Sequence, residues 1–458
     1  MDVSRQLVEY AADTRFTDFP PEVVEATKRV ILDTLGTSLA GSSAPGCAEV
    51  VDLLKGWGGR QESSILAFGE KVPCFQAAFA NSMMAHARDF DDTYDEIPLH
   101  ASASVLPAAL AVAEARGAVT GKDLITAVVL GVDILCRMGL SIQVYHGWFL
   151  SAVLGSFGAA IAASRILGLD PEKMSHAFGI AYAQASGNRQ ASRDGALTKR
   201  MQPAFNAKAG VLSAYFANSG IVGTKNTLEG KYGFFNLYEG GRYSRDRLTE
   251  QLGKKFEIVN LSLKPYPCCR FAHPSIEAVL KIARDHNVRP SDIQEVLVQM
   301  PRMPFEIVGR PFEVGANPQV SAQFSVPYTV AVALINGDVE LSDFEEENIF
   351  KKDVLDFAKT RVRVIPDERV QDSRAFTPVR VEIKMKDGEA YSEEIQLSKG
   401  NFQRPMSYEE VTEKFFKCSK YGSKKIPEEN LEQAVQTVGR LEEIEEVGVI
   451  PRLLSGQE

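Results

Sequence analysis

The apolar residues change period part-way along the chain, and that change limits the fold more than any other feature. Up to about residue 260 they recur at i, i+3 and i+4, as in Val23, Val24, Ala26, Val30, Ile31 and Leu35, the spacing that lines one face of a helix. Stretches 108–113, 124–135 and 152–163 are rich in Ala, Gly and Leu, and such small side chains let helices approach closely. After about residue 290 the pattern alternates: Val296, Val298 and Met300, then Val362 and Val364, then Val379, Val381, Ile383 and Met385. That is the period of half-buried strands. Apolar helical segments, 276–284 and 326–335, lie between these strands. Asp387-Gly388 separates the last alternating run from 389–397 and predicts a hairpin closed by a type I′ turn. From Ser407 a charged helical pattern returns, with Ser407 and Glu410 spaced as a capping box. The chain therefore reads as mainly α: an all-α main domain over 1–264, a smaller α+β domain over 265–400, and a helical segment over 401–458 that packs back on the main domain.

A chain of 458 residues is long enough for two or three folding units. Its 51 basic and 60 acidic residues leave a net charge of −9, which argues against a general nucleic-acid or anionic-membrane binder. The polar, acidic start lacks the basic and apolar regions of a secretory signal. The longest weakly polar runs, 123–136 and 150–164, fall short of the ~20 residues that cross a bilayer and read as buried helices. Six cysteines are scattered except for the adjacent Cys268 and Cys269, a pattern that suits neither a disulfide framework nor a zinc site. A reducing cytoplasm is the expected setting.

No phosphate-binding glycine loop, serine-hydrolase elbow or zinc-protease motif is present in the sequence. Three constellations remain. The first is His86-Ala-Arg-Asp89-Phe-Asp91-Asp92-Thr93, followed by His100 just ahead of an apolar helix. If this segment stays helical, Asp89 and Thr93 share a face at i, i+4. His100 stands where a helix N-terminus favours an anion. The plainer reading makes the aspartates solvated or capping residues. The second is Thr198-Lys199-Arg200 before a helical run, where adjacent cations suit a substrate carboxylate or a solvated face. The third is Lys264-Pro-Tyr-Pro-Cys268-Cys269-Arg270-Phe-Ala-His273. Its prolines hold an extended segment that delivers Lys264, Arg270 and His273 where the two patterns meet. His146 and Tyr328 complete the candidates; each reads equally as a satisfied core residue.

Taken together, these segments resemble the MmgE/PrpD family, which includes 2-methylcitrate dehydratase, cis-aconitate decarboxylase and iminodisuccinate epimerase. Leu32-Asp-Thr-Leu-Gly36, Leu106-Pro107, Leu167-Gly-Leu-Asp170 and Gln323-Phe-Ser325 extend the match over nearly the whole chain. The resemblance implies an all-α main domain with an α/β lid, a homodimer, and an active site between the two domains that needs no metal or organic cofactor. It also implies that Asp89, Thr93, His100, Lys199, Lys264, His146 and Tyr328 are site residues. Three features depart from the family pattern: Ala101 stands where proline is common, the loop from Thr93 to His100 is about one residue longer than in the decarboxylase, and Cys269 replaces a decarboxylase histidine.

The reactions of this family build carbanion or enolate character next to a carboxylate, so they need cations on that carboxylate and an acid/base group near carbon. Lys199 and Lys264, joined by Arg200 of the adjacent cation pair, are expected to take the first task. His100, oriented by Asp89 or Thr93, takes the second, and Tyr328 or His146 assists. A hydro-lyase of the 2-methylcitrate or citrate type is the leading expectation because dehydratases are the family's usual activity. Epimerisation of an acidic substrate comes second, and decarboxylation third because of Cys269. A silent, dimeric carboxylate-binding protein is the non-enzymatic alternative.

Overall fold

The computed structural model describes residues 2–315, 317–371 and 375–456. The chain forms two compact units, one comprising Met1–Ala191, Leu197–Leu263 and Ser407–Glu458, the other Ser192–Ala196 and Lys264–Met406. The chain thus leaves the first unit next to the predicted boundary and rejoins it at Ser407, six residues beyond the expected start of the C-terminal segment. There the Ser407 side chain and Glu410 form the capping box of the helix Tyr408–Ser419.

The first unit is built on α1 (Pro21–Gly41), α2 (Cys74–His86), α3 (Ser102–Arg116), α4 (Gly121–Ser141), α5 (Leu150–Leu167) and α6 (Thr198–Asn218). Small residues set how closely these helices pack. A Cβ added to Gly158 on α5 would fall 2.6 Å from the Gly131 carbonyl oxygen of α4, and one on Gly131 would fall 2.7 Å from the Gly158 oxygen. The two backbones touch because neither position carries a side chain. At 21 and 18 residues, α4 and α5 are longer than the apolar runs suggested and are long and apolar enough to cross a membrane. Their apolar windows, however, are 94% and 89% buried inside the protein, as expected of core helices. The unit is not purely helical: Ser63–Ser64 pairs with Lys71–Val72, and Thr93–Tyr94 pairs with Leu261–Ser262.

The second unit holds a four-stranded sheet of β1 (Ile293–Met300), β2 (Val362–Pro366), β3 (Val379–Met385) and β4 (Ala390–Ile395) in the order β2-β1-β3-β4. β1 and β2 run parallel and the other pairs antiparallel. The helices His273–His286 and Val326–Asn336 contribute Ile276, Val279, Val330 and Val332 to the same core as Val296, Val298, Val381 and Ile383. The hairpin at 387–388 is present, but its turn is not type I′. Gly388 alone has positive φ, at 96°, and its N–H bonds the Met385 carbonyl. This is a type I turn followed by a glycine bulge. Asp387 keeps negative φ while its carboxylate accepts from the Glu389 N–H.

Candidate active site

The site begins where α2 ends. His86 is its last residue, and Asp89 adopts a left-handed φ of 52°, so the helical i, i+4 relation between Asp89 and Thr93 does not form. The helix stops before it, and Thr93 lies in the short strand opposite Ser262, its hydroxyl donating to Asp95. Positive φ is costly for a residue with a Cβ and needs support from its surroundings. Arg88 on one side donates to the Ala40 carbonyl and the Ser43 hydroxyl. On the other side the Lys414 ammonium donates to the Phe90 carbonyl at 2.8 Å.

Asp92 settles as a capping residue. Ala101, the residue before α3, offers no side-chain cap. The Asp92 carboxylate instead accepts from the N–H groups of Ala101 and Ser102 and from the Ser102 hydroxyl, meeting the positive end of the helix. Burial and the neighbouring Asp91 raise its pKa, opposed by these hydrogen bonds.

Capping α3 brings His100 in beside the loop. Its Nδ1 lies 2.8 Å from the Asp92 carbonyl oxygen and 3.3 Å from Asp91 Oδ2. Both are acceptors, so Nδ1 carries the proton, and in the neutral ring the free lone pair is on Nε2. The His100 N–H donates to Ser151 Oγ, and Phe149 sits against the rings of both His100 and His86. Asp91 accepts equally from His86 Nδ1, at 2.8 Å. Burial opposes ionisation of Asp91, but the two imidazoles outweigh it and hold its pKa well below the usual range. Burial acts the other way on His86. With Lys199 and His100 adding to it and Asp91 opposing, it lowers the His86 pKa to about 4, so the ring is neutral at pH 7.

Lys199 closes the cluster. It sits in the first turn of α6, where the helix dipole disfavours a cation, and its Nζ is 2.7 Å from Asp89 Oδ1 and 3.2 Å from His86 Nε2. His86, Asp89 and His100 each present an atom within 4.8 Å of the others, a spacing that would suit a divalent cation. The Lys199 ammonium already lies against two of those three residues and supplies the positive charge. The side chains grade outward: His86 and Asp91 are fully buried, whereas His100 and Lys199 are 14% and 11% exposed. A ligand entering the cluster meets the imidazole and the ammonium first.

The other expected residues are engaged as follows. Arg200, one residue from Lys199, points to the Pro45 carbonyl. His146 Nε2 accepts from Arg242 and lies 3.9 Å from Glu239 Oε2. In the second unit Lys264 is buried, Arg270 donates to the Lys399 carbonyl and lies beside His273, and His273 Nε2 faces the Cys268 carbonyl. Tyr328 is in that unit's core and donates its hydroxyl to the Asp343 carbonyl. The Cys269 N–H bonds the Gln323 carbonyl. Sequence reasoning gave no role to His86, Asp91 or Lys414. His86 ends an apolar helix, and only its five-residue spacing from Asp91 hints at the pair.

Comparison with known proteins gives two adjoining family matches: the MmgE/PrpD N-terminal domain over residues 5–246 and the MmgE/PrpD C-terminal domain over 266–439. A cis-aconitate decarboxylase of Aspergillus terreus is 28% identical over 463 residues, covering 96% of this chain and 94% of the relative. The human protein of the same name is 26% identical over 454 residues, covering 95% and 90%.

Proposed function

From its membership of the MmgE/PrpD family, to which this chain belongs, we propose that it is a lyase that decarboxylates cis-aconitate or a close tricarboxylate. The observation that carries this reading is the Lys199 ammonium, held between Asp89 and His86 in the same cluster as the imidazole of His100. The relatives named cis-aconitate decarboxylase span almost the whole chain. They favour this reaction over the dehydration that family resemblance alone put first, and Cys269 carries too little weight to reverse the order.

Lys199 binds a substrate carboxylate by exchanging part of its contact with Asp89. When a second carboxylate leaves as CO2, the electron pair of the breaking C–C bond forms a new double bond, and the old double bond's pair moves toward the carboxylate held by the lysine. The ammonium stabilises the resulting enolate-like charge. His100, protonated at Nε2 from solvent, gives that proton to carbon. The Asp91 carboxylate and Asp92 carbonyl facing Nδ1 stabilise the imidazolium beforehand.

The test is incubation in D2O with cis-aconitate, citrate, 2-methylcitrate and amino dicarboxylates, followed by mass spectrometry. The expected result is CO2 loss from cis-aconitate with one deuterium gained at carbon. Water loss would make the protein a dehydratase, and label uptake without other change an epimerase; saturable binding without turnover would make it a binding protein. Lys199→Ala and His100→Ala should each lower kcat/KM at least ~100-fold, the usual worth of general acid–base catalysis, with the circular dichroism spectrum unchanged. Retained wild-type kcat/KM in either variant would remove that residue from the mechanism.

A further inference from the structure

We propose that His86 is a positioning residue that aims the Lys199 ammonium, and that Asp91 fixes the tautomer that allows it; this rests on the carboxylate-binding role given to Lys199 above. A lysine carries its charge on a flexible four-carbon stem, and here that stem leaves a helix end that disfavours a cation. Asp89 offsets the charge. A carboxylate contact alone does not fix the direction of a flexible stem, and His86 Nε2 supplies a further fixed acceptor 3.2 Å from Nζ.

His86 can accept only if its proton is on Nδ1. Asp91 ensures this: its Oδ2 lies 2.8 Å from Nδ1, and as an ionised carboxylate it has no proton to give. The opposite tautomer would set an N–H against the ammonium and leave a lone pair facing the carboxylate. The ring cannot turn to escape, because His100 and Phe149 pack on it with centroids 4.7 and 5.7 Å away. The charged and titratable groups facing His86 are Asp91, Lys199 and His100, and Asp89, which presents an oxygen within 4.8 Å of the ring. The fully buried His86 therefore acts through Lys199, and Asp91 acts through the two imidazoles of His86 and His100.

Two measurements test this. Phe at position 86 keeps the ring's bulk and removes the acceptor; Gln offers a carbonyl oxygen in its place. His86→Phe should raise KM for cis-aconitate ~10-fold or more, the usual worth of a hydrogen bond to a charged group, with a smaller change in kcat, and His86→Gln should recover much of the loss. A residue that only supported the fold would lower the active fraction, and so kcat, at unchanged KM; that pattern in both variants would overturn the proposal. The second measurement needs no substrate. Side-chain 15N spectra of the wild-type protein at pH 7, assigned by the signal missing in His86→Gln, should show His86 as the neutral Nδ1–H tautomer, moving toward Nε2–H in Asp91→Asn. A protonated or Nε2–H His86 in the wild type would overturn the proposal even where the variants fail to fold. If cis-aconitate is not turned over, the functional reading falls and the tautomer still decides the role of His86.

Discussion

At the scale of single residues, Asp91 serves two imidazoles with one oxygen, and burial keeps His86 uncharged. This has a consequence for stability. The folded pKa of His86 is about 4 against an ordinary 6.5, so between those values the unfolded chain binds the extra proton. Its contribution is complete above about pH 6.5 and is lost as pH falls toward 4, on the order of 3 kcal/mol in all. Asp33 acts in the opposite sense. Burial raises its pKa from 3.8 to about 6 against the pull of Lys414, so its contribution is present at low pH and fades as pH rises through that window. Urea unfolding at pH 5 and pH 7 should therefore show a smaller loss on acidification for His86→Gln than for the wild type; equal losses would mean His86 is not held neutral. Asp89, His100 and Lys199 could be named from the sequence because the family resemblance marks them. His86 and Asp91 could not, since nothing in a run of Ala and Met residues tells which histidine of a helix meets a carboxylate beyond its end.

Among the elements, the helices and strands followed the two hydrophobic periods closely: 276–284 lies within the helix His273–His286, and each alternating run became a strand. What the periods could not convey is a backbone that leaves both patterns. The left-handed φ of Asp89 ends helical geometry three residues past α2 and turns Asp92 toward the N-terminus of α3. The same limit applies to the turn at Asp387-Gly388, where a side-chain bond to Glu389 accompanies a type the dipeptide alone did not predict. The α4–α5 crossing is more legible, because small residues on both helices announce it. Gly158→Ala places a methyl 2.6 Å from the Gly131 oxygen and should cost ~1–3 kcal/mol by overpacking. The loss would be read as a lower urea midpoint at unchanged m-value, and an unchanged midpoint would mean that the two helices separate freely.

Across the whole molecule, the first unit is made of chain from both sides of the second. The helix Tyr408–Ser419 contributes Lys414, whose ammonium meets Asp33 at 2.7 Å, lies 3.8 Å from the centre of the Phe90 ring and bonds the Phe90 carbonyl. Breaking one side of a buried pair strands the other charge, so Lys414→Met should destabilise by ~3–5 kcal/mol. Lys414→Met combined with Asp33→Asn should recover most of it, as measured by a double-mutant cycle in urea. Additive losses would show that the two charges do not interact. Lys414 and Phe90 are 324 residues apart in sequence. At a synthesis rate of ~5–20 residues per second, the nascent chain carries the 86–92 loop for many seconds before its last support leaves the ribosome. Until then Asp33 has no cation and Phe90 no clamp. Catalytic competence should therefore arise only once residue 414 has emerged, after the inserted unit is made, and a pulse-labelled chain released before residue 414 should contain most of the helices and none of the activity.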